Sequence, residues 1–160
     1  VSRDVAKTKS SNLPGDLPSL NPKHSLNAVL FVMLSPMSDG MHLGPYSPEI
    51  RASAREAIAR FEPYERPVTE KVLREWLAPI PQVVRNEKTP EALKGWMAGV
   101  MLALQGFPIG AFNQSTQRSA LQTFQFFPSA ADVCDVLQPT VTEIRDRMRA
   151  LRQVATEDSP

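Results

Sequence analysis

Proline spacing is the strongest constraint in this sequence. Fifteen of the 160 residues are proline, about twice the usual share, and they fall at intervals that forbid long uninterrupted elements. Several stand where a helix begins. Ser47-Pro48-Glu49 and Thr89-Pro90-Glu91 each place a capping side chain, a proline at the first helical position and an acid in the first turn. Others read as stops: Pro63 after a first helix carrying Ile50, Ala54, Ile58 and Phe61, and Pro79 with Pro81 after a second. That second helix is capped by Thr69, with Val68 and Leu73 spaced as a hydrophobic staple and Val72, Trp76 and Leu77 on its apolar stripe.

The Thr89 start opens a third helix whose face is Leu93, Trp96, Met97, Val100, Met101 and Leu104, expected to be the central one with Trp96 as a core anchor. Gly95, Gly99 and Ala103 recur every four residues, so a neighbour can approach this side closely. No charge occurs between Lys94 and Arg118, yet Gln105, Gly106, Pro108 and Gly110 interrupt the stretch, and no membrane span is expected. Asn113 or Ser115 caps a fourth helix with Ala120, Leu121, Phe124 and Phe127, broken by Pro128. Ser129 and Asp132 form an acidic capping box for a short fifth helix that ends at Pro139. Thr140 to Glu143 reads as a further capping box, opening a last helix with Ile144, Met148, Leu151 and Ala155 inward.

The fold expected is all-α: an irregular bundle of five to six short helices over residues 46–156, behind a flexible, disordered N-terminal arm at 1–45 and before a disordered end at 157–160. Residues 1–25 are rich in Ser, Pro, Asn and Lys without a helical or strand period. The apolar run Ala28 to Leu34 reads as a short helix, a strand or a docking segment.

Site chemistry is sparse. No phosphate-cradling glycine loop, dinucleotide fingerprint or HExxH helix occurs, and His24 and His42 lie apart in loop-like text. With one cysteine, Cys134, neither an internal disulfide nor a structural zinc site is expected. Cys134 reads as a small buried hydrophobe or a half-buried inert thiol. A reducing, cytoplasmic setting follows as the expectation, and no signal-peptide order appears near the N-terminus. Glu62, Glu65, Glu70 and Glu75 are interleaved with Arg60, Arg66, Lys71 and Arg74, as on a solvated, salt-bridged face. The chain is predicted to be no enzyme and to need no cofactor or metal.

The last helix carries the candidate site. Arg145, Arg149 and Arg152 stand at i, i+4 and i+7, with Arg147 expected to extend the basic surface. A net charge of +1 and the absence of interleaved aromatics favour an acidic protein face over DNA, which remains a possible contact.

The segment Ala120-Leu121-Gln122-Thr123-Phe124-Gln125-Phe126-Phe127-Pro128-Ser129-Ala130-Ala131-Asp132-Val133 resembles a pattern in phage and prophage replicative helicase loader and loader/inhibitor proteins. There a small all-helical domain carries an aromatic-aromatic-Pro-Ser/Thr-x-x-acid segment before a short helix. The likeness covers about ten residues in motif and residues 47–138 in architecture. It implies a non-enzymatic adaptor of phage-type DNA replication, similar to the members without ATPase activity, with a replicative helicase as the partner. The alternative is a small helical DNA-binding regulator that uses the basic last helix.

Overall fold

The computed structural model describes residues 12–18, 25–34 and 45–156, and every regular element in them is helical. In chain order these are α1 (Ser25–Met33), α2 (Pro48–Glu65), α3 (Glu70–Leu77), α4 (Ile80–Val83), α5 (Pro90–Leu104), a single 3-10 turn at Ile109–Ala111, α6 (Gln114–Thr123) and α7 (Ala130–Thr156). The expectations for residues 1–11, 19–24, 35–44 and 157–160, including both histidines, lie outside the described residues.

The expected helix starts are present with their hydrogen bonds. Ser47 Oγ accepts from Ile50 N at 3.2 Å, Thr69 Oγ1 from Val72 N at 3.4 Å, and Thr89 Oγ1 from Ala92 N at 3.2 Å. Asn113, not Ser115, caps α6, its side-chain oxygen 2.9 Å from Thr116 N. Ser129 and Asp132 exchange bonds in both directions, 3.1 and 2.8 Å long.

Several helix stops differ from expectation. Pro63 lies inside α2, which runs on to Glu65; Arg66, forced out of the helical region by the following Pro67, ends it at ψ 146°. Pro139 lies inside α7, so the two helices expected at 129–138 and 140–155 are one, and the Thr140 to Glu143 box is helix interior. An interior proline costs about 3 kcal/mol. Opposing it is a continuous buried stripe: Val133, Leu137, Val141, Ile144, Met148, Leu151 and Val154 straddle the proline and are all nearly inaccessible to solvent. Breaking the helix would lift one half of that stripe out of the core. The fourth expected helix is shorter than its pattern, because α6 stops at Thr123 and Gln125 O instead accepts from Arg85 N at 2.7 Å.

The core lies mainly between α2 and α7, with α3, the 3-10 turn and α6 closing it. Trp76, completely buried, fills its centre and meets Phe112 edge-on at 5.6 Å. The core also reaches back before residue 46. The apolar run forms α1, which buries Leu26 and Leu30 against α2 and α7, and Tyr46 OH bonds to Met33 Sδ at 3.7 Å. Residues 12–18 have neither helix nor strand but lie on the domain as a strap, with Leu13 and Leu17 packed against the core.

Helix α5 is peripheral, where the sequence led us to expect the central position. Only Val100 and Leu104 are fully buried, Trp96 is half-buried, and Leu102 is 70% exposed. Nothing lies within 4 Å of where a Cβ would sit at Gly95 or Gly99, so the small-residue side meets no neighbour among the described residues. Glycine in an exposed helix is worse than alanine by about 1 kcal/mol. Gly95→Ala and Gly99→Ala should therefore each stabilise the domain by about that amount, read as a higher urea midpoint; a fall in either would show that the glycine serves a contact.

Candidate functional site

Because α7 continues past Pro139, its outer face belongs to one continuous helix, and Arg145, Arg149 and Arg152 all lie exposed on it. Their side chains are not equivalent. Arg152 forks onto Glu65 at the end of α2, with Nη1–Oε1 3.0 Å and Nη2–Oε2 2.9 Å, and so ties the two longest helices together. Arg149 gives one bond of 3.0 Å to Asp146 while its side chain stays 76% exposed. The Arg145 side chain makes no hydrogen bond or ion pair with any described residue. Among the described residues the row thus offers one unpaired guanidinium, one lightly held and one committed.

Arg147 does not extend this surface. Two positions from Arg145 it is turned by about 200°, onto the side of Leu151. It is only 6% exposed, gives Nη2 to Glu143 at 2.8 Å and Nη1 to the Pro18 carbonyl at 2.6 Å, and lies 5.0 Å over the Phe61 ring. The helical angle alone carried this information; the residue type, usually solvated, pointed the other way.

The segment Phe126-Phe127-Pro128 forms a corner between α6 and α7. Trp96 Nε1 donates to Pro128 O at 2.8 Å, the Phe127 ring meets the indole edge-on at 5.2 Å, and Lys88 Nζ stands 4.9 Å over Phe127. Phe127 is half-buried against this indole, at the margin of the core. Phe126 is 53% exposed, paired by its backbone bridge to Arg85, and Val83, two residues before Arg85, is 51% exposed. Serine bonds hold the Asp132 carboxyl below its ordinary range, fixing the start of α7 beside these apolar side chains.

No family model, curated protein or solved structure matches the chain.

Reactive groups are dispersed among the described residues. Burial and neighbouring Asp135 push the Cys134 thiol up, leaving it protonated at neutral pH. No group of three or more His, Cys, Asp or Glu side chains there is placed to hold a metal ion. The acids expected to form a salt-bridged face do so in part: Glu70 pairs with Arg74 at 2.8 Å, Glu65 with Arg152, and Glu75 accepts from Asn12 N. No described helix is long and apolar enough to cross a membrane.

Proposed function

We propose that this chain is a non-enzymatic adaptor that docks on a protein partner through the outer face of α7. The observation that carries the reading is Arg145, exposed and unpaired among the described residues, beside the lightly held Arg149 on a helix whose opposite stripe is wholly buried. Such a helix is held by one side and presents the other. Forked donors on it recognise carboxylates with directional hydrogen bonds. The exposed Phe126 and Val83 add apolar area of the kind that anchors interfaces. A replicative helicase of a phage-type system, in the cytoplasm, is the partner toward which the corner motif's resemblance points, and occupancy of its surface is the mechanism.

The DNA-binding alternative has the same three arginines in its favour, but Asp146 and Glu65 share their surroundings and would face the phosphates. Arg145→Glu with Arg149→Glu spares the Arg152–Glu65 pair. The double variant should keep the wild-type helical circular dichroism and bind the helicase at least about tenfold more weakly, equivalent to about 1.4 kcal/mol. Unchanged helicase affinity would overturn the reading. Duplex DNA binding whose log K falls with log salt at about −0.9 per phosphate would establish the DNA-binding alternative instead.

A further inference from the structure

The strap at residues 12–18, Asn-Leu-Pro-Gly-Asp-Leu-Pro, is seated on the domain as a bound peptide would be. Its contacts come from three helices. Asn12 N donates to Glu75 Oε1 of α3 at 2.9 Å, Ser115 Oγ of α6 donates to Asp16 Oδ1 at 3.0 Å, and Arg147 Nη1 of α7 donates to the Pro18 carbonyl at 2.6 Å. Leu13 and Leu17, four apart, turn toward the core, while Asn12, Gly15, Asp16 and Pro18 remain exposed. Two prolines favour the extended form before docking, which lowers the ordering cost.

Trp76, Leu77, Leu104, Phe112 and Ile144, the centre of the core, are fully buried, whereas the strap leucines are only half-buried and pack on its edge. Arg147 bonds the strap directly. Its guanidinium is almost fully buried, its Nε has no hydrogen-bond partner, and the strap carbonyl satisfies Nη1. Removing the strap breaks this charge-assisted bond, and a replacement segment that offers a carbonyl at the same place restores it. Beside the strap lies an open groove of about 490 Å³ between Pro14 and Gly15 on one wall and Arg60, Tyr64 and Ile109 on the other. It gives an entering chain a place to begin.

We infer that the strap occupies, in cis, a peptide-binding groove, and that a partner protein's extended segment of like chemistry displaces it. That segment carries two leucine-sized side chains four residues apart, an acid immediately before the second, and a backbone carbonyl for Arg147. The inference concerns the inward side of α7 and stands independently of the adaptor reading of its outer arginines.

The probe is the capped heptapeptide of residues 12–18 carrying a fluorophore, titrated into full-length protein and read by anisotropy. In the wild type the strap competes from the same chain, at an effective concentration in the millimolar range. The full-length Leu13→Asp/Leu17→Asp variant should therefore bind the peptide about tenfold more tightly than wild type, and a peptide with both leucines replaced by aspartate should not bind. Equal affinity of wild type and variant, or equal binding of the two peptides, would overturn the proposal. Should the variant lose its helical circular dichroism, the wild-type chain decides alone: excess unlabelled peptide should move the amide resonances of Leu13, Gly15, Asp16 and Leu17 from their docked positions, and resonances that stay in place overturn it. A dimer that forms with rising concentration, with no response to peptide, would assign the groove to a second copy and overturn the foreign-peptide proposal.

Discussion

Trp76→Ala should cost the domain about 3–5 kcal/mol, the largest loss expected of any single substitution here. The indole is completely buried at the meeting of α3, the 3-10 turn and α6, so its removal opens a cavity that three elements would have to close together. Its Nε1 donates to Thr116 Oγ1 at 3.1 Å, and that hydroxyl lies 2.6 Å from Ala111 O and 3.0 Å from Asn113 O. The indole is therefore joined to the cap of α6 as well as to the core. The edge-on contact with Phe112 adds a term beyond buried area. Trp76→Phe keeps most of the apolar volume and deletes the donor, and should fall between wild type and alanine. The urea midpoint, at constant dependence on denaturant, is the measurement; an unchanged midpoint for Trp76→Ala would place the indole outside the cooperative core.

Gly110→Ala should destabilise by about 1–3 kcal/mol, although glycine to alanine is often a mild change. A Cβ at this position would lie 2.8 Å from Tyr64 Cβ and 3.0 Å from both Tyr64 Cδ1 and its carbonyl oxygen. The last of these belongs to the backbone of α2, near its end, and cannot swing aside as a side chain would. The clash cannot move the loop freely either, because Ile109 N is bonded to Arg66 O at 2.7 Å and Val68 N to Phe107 O at 2.8 Å. Trimming the tyrosine does not help: Tyr64→Ala keeps both the Cβ and the carbonyl, so the Gly110→Ala/Tyr64→Ala double variant should be no more stable than Gly110→Ala. Recovery of stability in the double variant would show that the ring alone sets the limit. Gly106 differs in kind, since its φ of 82° is a left-handed conformation that follows the end of α5.

Local chemistry was legible in the sequence wherever it was decided locally. Ser47, Thr69, Thr89, Asn113 and Ser129 cap helices because their side chains reach donors only two or three residues away, and the all-α class follows from such starts. Stops were less legible. Pro63 and Pro139 carry the same local penalty as Pro79, and only the buried stripe on both sides of Pro139 distinguishes a tolerated proline from a terminating one. The arginine row was correctly placed on one exposed stripe, but its pairing was not, because Glu65 is distant in sequence from Arg152 and near it only in space. The half-exposed position of Trp96, expected in the core, has a similar origin. Both tryptophans lie on apolar stripes, and what buries Trp76 more deeply than Trp96 is its place among neighbours contributed by later parts of the chain.

The passage of α7 through Pro139 makes that helix a ruler. Its 27 residues span about 40 Å, from the capping box beside Phe126 to the turn beyond Arg152. Two helices hinged at the proline would let those ends approach or part as each contact demanded. A single rod with its inner edge set in the core holds them at one separation and one rotational phase. A partner that engages Phe126 and Arg149 together must therefore match a fixed length, and one residue inserted after Pro139 would put the arginines and the buried stripe beyond it about 100° out of phase with the first half of the helix, so that core and partner face could not both be kept.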